Sequence, residues 1–242
     1  MTHTVPDYTS QYKLINTYGQ MDLTEISARL GGYSLFDRRG KVFFLDGFEY
    51  STLTNWTIMA AAGGAMAMDN TKSFYGQSSA KITTAAGSPW TIAILKYLDV
   101  PSQSAVGSEI MFMPNHANEI FTLALFLTNG TNEYSAQIRA NFATNVMQYM
   151  DAAGSWQTLP GTLYWSISCE WWKYFKLVAN VSTKKYVRAF IGNMTWDLSA
   201  ISMHTVGGSS NAYIEVAASL AATDSTQHYG WVDNLVLTHD EP

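Results

Sequence analysis

Hydrophobic and polar residues alternate along most of the chain after residue 40, with the period of two that is typical of β-strands. The clearest segment spans 134–142, and its predicted inward residues are Tyr134, Ala136, Ile138, Ala140 and Phe142. The segments 120–128 and 230–238 are apolar on both faces, which predicts strands in the interior of a sheet. Turn signals separate about twelve to fourteen such segments, and no helical crossover joins them. The pattern therefore predicts an all-β fold, an antiparallel two-sheet sandwich.

The first of these strands is expected to organise the domain. Residues 41–56, KVFFLDGFEYSTLTNW, combine a strand that is apolar on both faces, a turn and an anchoring tryptophan, Trp56. The predicted partner of this strand is the closing run at 230–238, so that Phe44 and Val236 would lie in one sheet. This pairing would make residues 41–242 a single sandwich domain, preceded by an N-terminal extension at 1–40.

The N-terminal extension is predicted to be an extended arm with one short helix over residues 23–30. Asp22 is suited to cap the helix, and Gly31 follows its end. So short a helix does not hold in water on its own, and its apolar stripe needs a surface to dock on. The stripe consists of Leu23, Ile26 and Leu30. Two docking surfaces remain open, the chain's own sandwich and a neighbouring subunit.

The composition narrows the range of partners. Charged residues make up 14% of the chain, below the usual share of roughly 25%, and Ser, Thr, Asn, Gln and Gly fill the deficit. Such a polar, uncharged surface is common among extracellular and virion β proteins. The net charge of −5 provides no attraction to nucleic acid or to an anionic membrane, and no apolar run reaches the length of a membrane span. The N-terminal segment does not show the pattern of a signal peptide.

The sequence contains no recognisable motif for catalysis or for transition-metal binding. The single cysteine, Cys169, lies in an aromatic run and is expected to be a buried, inert thiol. The histidines show no metal-type spacing with one another, and they are His3, His116, His204, His228 and His239. The chain also lacks a Gly-x-Ser-x-Gly elbow, a P-loop and a dinucleotide fingerprint. We therefore expect no enzymatic activity.

The order of segments resembles the concanavalin A-like sandwich, the jelly roll shared by laminin-G-like modules, many carbohydrate-binding modules and some glucanases. The resemblance covers about residues 41–239 and is carried by FLDGFEY…NW, SFYGQSSAKITT, WWKYFKLVANVSTKKYVRAFIGN and YGWVDNLVLT. It implies the fold and, as one functional alternative, a lectin-like carbohydrate-binding module. Glucanases on this fold carry a Glu-x-Asp-type pair of carboxylates, which this chain lacks. A glycoside hydrolase is accordingly the third and least favoured hypothesis.

Sandwiches of this kind also bind a structural Ca2+ through loop carbonyls and an acidic side chain. Asp46 and Asp233 are the candidates here, because each interrupts an otherwise apolar strand. The alternative is a carboxylate that is hydrogen-bonded at the end of its strand, since a buried carboxylate must find partners in any case.

Aromatic residues between positions 164 and 174 form the candidate glycan platform. Sugar rings stack their C–H faces on flat, exposed aromatic rings, and Trp and Tyr add a polar edge. The platform residues are Trp165, Trp171, Trp172 and Tyr174. Trp172 and Tyr174 lie opposite Phe175 and Leu177 along the strand, so one of the two sets is expected to face solvent. The alternative is that these aromatic residues belong to the core or to a subunit interface.

A second resemblance concerns the N-terminal extension. A short arm and helix that lead into FDRRGKVFFLDGFE resemble structural proteins of tailed-phage virions, which use such sandwiches as capsid decoration or tail-associated modules. This resemblance implies a non-enzymatic virion structural protein whose arm contacts neighbouring subunits. The implied partners are a capsid or tail protein and further copies of the chain, for example in a trimer. The implied location is the virion surface, after assembly in the host cytoplasm, and the alternative is an extracellular glycan-binding protein.

Overall fold

The computed structural model describes residues 39–60, 63–85, 92–98, 105–162, 171–207 and 212–242. Within these ranges the regular elements are sixteen β-strands. The strands are β1 (Lys41–Asp46), β2 (Thr57–Met59), β3 (Ala65–Asp69), β4 (Ser79–Thr83), β5 (Ile92–Leu98), β6 (Ala105–Pro114), β7 (Glu119–Thr128), β8 (Glu133–Asn141), β9 (Val146–Met150), β10 (Trp156–Thr158), β11 (Lys173–Asn180), β12 (Lys185–Ile191), β13 (Met194–Asp197), β14 (His204–Gly207), β15 (Ile214–Ala222) and β16 (Tyr229–His239). The described ranges hold no helix that is long and apolar enough to cross a membrane.

The strands pair antiparallel to form two eight-stranded sheets. Sheet A has the order β13-β12-β11-β6-β16-β4-β3, and β1 joins it beside β16. Sheet B has the order β10-β9-β8-β7-β15-β5-β2, and β14 joins it beside β8. The core lies between the sheets, where Phe112 of β6 stacks on Phe121 of β7 with 4.0 Å between the ring centroids. The predicted antiparallel two-sheet sandwich is thereby confirmed for the described residues.

The first and last strands pair, as the sequence predicted. Phe44 lies opposite Leu237, and Leu45 lies opposite Val236. In one respect β1 differs from the prediction of an interior strand. Among the described strands it pairs with β16 alone, and its side chains are mostly half-buried. The apolar residues on both faces of β1 are therefore only partly covered by other residues, and the strand pairs along one edge.

The two strongest strand patterns in the middle of the chain are confirmed. β7 lies between β8 and β15, in the interior of sheet B. On β8 the inward residues Ala136, Ile138 and Ala140 are fully buried, and Tyr134 packs against the same core. The alternation along β8 therefore reports the orientation of the side chains correctly.

Strand β11 departs from its prediction, because both of its faces are buried. Phe175 and Leu177 point into the core, as expected, but Tyr174 and Lys176 on the opposite face are buried as well. The expectation that one set faces solvent is wrong for Tyr174, which is 2% exposed, whereas Trp172, just before the strand, is half-buried. Lys176 forms ion pairs on this outer face, and a charged residue that is fully paired no longer marks a solvent-exposed face.

Several sequence-based predictions concern residues outside the described ranges. They are the N-terminal arm and helix with the stripe Leu23, Ile26 and Leu30, the platform residue Trp165, and the inert thiol Cys169. These remain predictions.

Candidate functional site

An aromatic patch lies where the chain enters β11. Trp171 has 65% of its surface exposed, and the Lys173 ammonium lies 5.4 Å from the centroid of its ring. The next residue, Trp172, is half-buried and packs edge-on against Phe74 at 6.1 Å between the centroids. Phe74 and Tyr75 belong to the loop between β3 and β4, and they are 39% and 44% exposed. We call Phe74, Tyr75, Trp171 and Trp172 the aromatic patch.

A buried carboxylate holds the loop that carries half of this patch. Asp233 of β16 is fully buried, and its Oδ2 accepts hydrogen bonds from the backbone N–H groups of Phe74, at 2.8 Å, and Tyr75, at 3.2 Å. Its Oδ1 accepts a third from the N–H group of Asn234, at 2.7 Å. Burial raises the pKa of Asp233 to about 7, and the three N–H donors act in the opposite direction by stabilising the charged form. Asp233 thus fixes the two aromatic rings to the sheet.

A second carboxylate holds the other side of the same loop. The Glu49 carboxylate accepts hydrogen bonds from the backbone N–H groups of Gln77, at 3.0 and 3.1 Å, and of Ser78, at 3.4 Å. Gly76 has a φ of +80°, and a Cβ at this position would lie 2.0 Å from Glu49 Oε1. Glycine is therefore required where the loop passes over this side chain.

A polar cleft of about 430 Å³ lies at the two ends of this loop. Its lining consists of Glu49, Tyr50, Ser51, Met68, Asp69, Asn70, Gln77 and Ser78. Tyr50 is an exposed aromatic residue in this lining, and Asn70 and Gln77 carry amide groups. An exposed aromatic ring beside amide and hydroxyl groups is suited to a ligand with both apolar faces and hydroxyls.

The predicted platform residues differ in their exposure. Trp171 and Trp172 lie in the patch, but Tyr174 is only 2% exposed and offers no face to a ligand. Phe74 and Tyr75 were missed by the sequence analysis, because they lie far from residue 171 in the chain. In the segment FYGQSS, Gly76 indicates only a turn. The contact between Phe74 and Trp172 arises from tertiary structure.

The two calcium candidates are both engaged by N–H donors. Asp46 accepts the backbone N–H group of Phe48, at 2.8 Å, and the indole N–H group of Trp56, at 2.9 Å. Asp233 accepts three backbone N–H groups, as described above. Because N–H donors point at the oxygens that a cation would need, this arrangement matches the hydrogen-bonded alternative. Calcium binding itself stays a prediction.

A cluster of three side chains was also missed by the sequence analysis. One nitrogen of His116, one nitrogen of His228 and one carboxylate oxygen of Asp224 lie within 4.8 Å of one another. The two histidines come from distant parts of the chain, so spacing gave no signal for them. The one local hint was Asp224 four residues before His228. The statement that the histidines lack metal-type spacing holds for the sequence, but the fold brings this pair together.

Comparison with known proteins identifies the fold. No protein-family model and no curated protein sequence matches the chain. An endo-β-1,4-glucuronan lyase from the fungus Trichoderma reesei is similar in structure, with 10% identity and a TM-score of 0.55 over 82% of this chain and 95% of that one. A cellulose-induced protein, Cip1, is similar with 16% identity and a TM-score of 0.53 over 81% of this chain and 97% of that one. At such identities the likeness shows the fold alone: the described chain is an all-β, antiparallel jelly-roll sandwich, consistent with the concanavalin A-like type.

Proposed function

We propose that this protein is a non-enzymatic, carbohydrate-binding jelly roll that stacks a glycan on the aromatic patch. The observation that carries the proposal is the 65% exposure of Trp171, which directly precedes Trp172, the residue that packs edge-on against the half-exposed Phe74. Exposing large apolar rings to water is unfavourable, and contiguous exposed apolar surface usually marks a binding site. The flat faces of Trp171 and Tyr75 match the C–H faces of a pyranose ring.

The concentration of exposed rings at one place supports this assignment. The large hydrophobic residues that are exposed in the described ranges are Tyr50, Ile58, Met59, Phe74, Tyr75 and Trp171. Three of these six belong to the patch, and Tyr50 lines the polar cleft. The cleft supplies amide and carboxylate groups that can bind sugar hydroxyls. Aromatic rings for stacking and polar groups for hydrogen bonds are thus both provided by the loop between β3 and β4 and its surroundings.

The anchored loop favours recognition of a ligand in a fixed orientation. Phe74 and Tyr75 are held by Asp233, and the loop behind them is held by Glu49. A platform that is ordered before binding loses less conformational entropy when the ligand arrives. The proposed ligand class is a polysaccharide with an exposed apolar pyranose face, such as a β-linked glucan or a uronic-acid polymer. The name of the structurally similar glucuronan lyase describes an enzyme that acts on a polysaccharide. The similarity of its fold supports a polysaccharide as the ligand class.

The carboxylates around the patch favour binding over hydrolysis. Hydrolysis of a glycosidic bond requires an acid that donates a proton and a second carboxylate across the bond. Asp233, Glu49 and Asp69 all accept backbone N–H groups of the loop between β3 and β4. Their role in holding the loop accounts for their positions, so we assign no catalytic step to them.

A structural role in a virion is the second candidate, and the same patch supports it. An exposed aromatic surface also fits a contact with a capsid or tail protein or with another copy of the chain. In that setting the patch and the predicted stripe Leu23, Ile26 and Leu30 would both serve subunit contacts. Light scattering tests this candidate, because a monomeric chain at micromolar concentration would contradict self-association.

Affinity electrophoresis and isothermal titration calorimetry with a panel of soluble polysaccharides test the primary proposal. We expect Trp171→Ala to weaken binding at least about ten-fold, which corresponds to roughly 1.4 kcal/mol of stacking. Met59→Ala is the matched control, because Met59 is similarly exposed but lies on β2 of sheet B. Absence of binding across the panel, or equal binding by Trp171→Ala and the wild type, would overturn the proposal.

A further inference from the structure

We propose that His116, Asp224 and His228 form a binding site for one Zn2+ ion, separate from the aromatic patch. Their ligand atoms lie within 4.8 Å of one another. Two imidazoles and one carboxylate are a donor set that zinc favours, and they leave a fourth position for water. With both histidines neutral the set carries one negative charge, which partly compensates a divalent ion.

One residue positions two of the three ligands. The Asn118 side-chain amide donates a hydrogen bond to Asp224 Oδ2 at 2.6 Å, and the Asn118 backbone N–H donates to His116 Nδ1 at 3.1 Å. The loops themselves are joined, because the N–H group of Thr223 donates to the carbonyl of Asn118 at 2.9 Å. The Asn118 amide thus orients the Asp224 carboxylate, and replacing a residue with such a role typically changes metal affinity by about 10- to 100-fold. The bond from the Asn118 N–H group to His116 Nδ1 holds this ring in the metal-free state and has to break when the ring turns toward an ion.

His228 is the fixed member of the set. It is 4% exposed, and its backbone N–H donates to Thr84 Oγ1 at 2.9 Å. The Thr84 N–H donates back to the His228 carbonyl at 2.8 Å. The imidazole Nε2 lies 2.7 Å from Asp224 Oδ1, which also accepts the backbone N–H group of Thr226 at 2.9 Å. A metal ion at this place would replace the hydrogen bond between His228 and Asp224.

His116 is the adjustable member. Its side chain is exposed, and its ring stacks on that of His228 with 4.3 Å between the centroids. In a metal complex a ring nitrogen must point at the ion within the ring plane, so the His116 ring has to rotate out of this stack. Its exposure permits that rotation at low cost, whereas the loop below it is held by Glu119 Oε2, which accepts the N–H group of Asn115 at 3.3 Å.

The proposed zinc site lies away from the aromatic patch. The patch loop precedes β4, and Thr84, which holds His228, follows β4 (Ser79–Thr83). A strand of this length separates its ends by about 17 Å. Metal binding and glycan binding can therefore be tested independently of each other.

Isothermal titration calorimetry of tag-free protein with ZnCl2 at pH 7.5 tests the proposal. We expect one Zn2+ per chain with a Kd below about 100 µM, and binding that weakens at pH 5.5 because protonated imidazoles cannot bind metal. His116→Ala and Asp224→Asn should each weaken binding at least about ten-fold, and Asn118→Ala should weaken it through the loss of orientation. Ca2+ and Mg2+ should not compete at millimolar concentration, because they prefer oxygen ligands.

The control variant is His204→Ala, which removes a histidine whose Nδ1 donates a hydrogen bond to the Ala152 carbonyl at 3.1 Å. It should bind Zn2+ like the wild type. His116→Ala is expected to keep the wild-type melting temperature in the absence of metal, because the replaced side chain is exposed. A Kd above 100 µM, or zinc binding that His116→Ala and His204→Ala affect equally, would overturn the site.

Discussion

The substitution Glu241→Gln probes a buried charge cluster that holds the C-terminal residues against sheet A. Glu241 Oε1 lies 2.7 Å from the Lys176 ammonium and accepts a hydrogen bond from Thr238 Oγ1 at 2.5 Å. Glu241 Oε2 pairs with the guanidinium of Arg188, and Lys176 also lies 2.7 Å from Glu109 Oε1. Lys176 and Glu109 are essentially inaccessible to water. Glu241 therefore compensates two cations that cannot be solvated where they are.

The expected magnitude follows from this burial. Glutamine keeps the size of the side chain and can still accept the Thr238 hydrogen bond, but it loses the negative charge and turns N–H donors toward cationic donors. Removing one partner of a buried ion pair typically costs about 3–5 kcal/mol, because the other charge stays buried without its counterion. We expect Glu241→Gln to lower the free energy of unfolding by this amount. Urea denaturation followed by tryptophan fluorescence measures it.

Asp240→Asn is the matched control at the neighbouring position. Asp240 pairs with Lys41 at 3.0 Å, but both side chains are substantially exposed. Exposed ion pairs contribute about 0–1 kcal/mol, so this variant should be close to the wild type. A loss below about 1 kcal/mol in Glu241→Gln, equal to that of Asp240→Asn, would refute the view that the cluster depends on charge compensation.

The pH dependence of stability gives a second readout of the cluster. Burial raises the pKa of Glu109 from 4.5 to about 7, although Lys176 opposes the rise and Glu241 adds to it. The stability that protonated Glu109 contributes is therefore complete below about pH 4.5 and is lost as the pH rises through about 7, a difference of roughly 3 kcal/mol. Because the charge of Glu241 contributes to the raised pKa of Glu109, Glu241→Gln should lower that pKa, so that the loss of stability with rising pH ends at a lower pH and is smaller than in the wild type.

Three further predictions concern other parts of the sandwich. Asp233→Asn should release the patch loop and weaken glycan binding at least several-fold without removing any aromatic ring, because an amide cannot accept three N–H groups as the carboxylate does; calorimetry with the best polysaccharide checks this. Tyr186→Phe should lower the free energy of unfolding by about 1–3 kcal/mol, which urea denaturation measures. The Tyr186 hydroxyl donates to the Met150 carbonyl, at 2.7 Å, and accepts the Gln137 N–H, at 2.8 Å, and both partners belong to the opposite sheet. Millimolar Ca2+ should leave the melting temperature unchanged relative to EDTA, because Asp46 and Asp233 are already engaged by N–H donors. A stabilisation by Ca2+ that Asp233→Asn abolishes would instead support a structural calcium ion.

The fold could be predicted from the sequence because each central strand carries its own signal. The alternation along β8 gave the inward residues directly, and the doubly apolar run of β7 gave an interior strand. The pairing of β1 with β16 followed from similar runs at the two ends of the domain. Short strands such as β14 (His204–Gly207) carry too few residues to show a period, so they were not predicted.

The outer face of β11 shows why a local pattern cannot decide burial. A lysine within a strand ordinarily indicates a face in contact with water, and Lys176 lies on the same face as Tyr174. Its counterions come from β6 and from the last residues of the chain, which no local window contains. The pattern gave the direction of these side chains correctly, but the cover over them depended on distant residues. Tyr174 was lost from the platform for that reason, and Trp171 was kept because it lies just before the strand begins.

Of the candidate sites, only the two residues just before β11 could be predicted from the sequence. Trp171 and Trp172 lie next to each other in the chain, so an aromatic run could reveal them. Phe74 and Tyr75 join them because Asp233 of the last strand accepts their N–H groups, and His116 meets His228 because Asn118 bridges to Asp224. In both places a polar side chain from one loop binds another loop and brings separate residues together. Buried or half-buried polar residues beside turn signals, such as Asp233 and Asn118, are therefore better guides to such sites than the spacing of the ligand residues themselves.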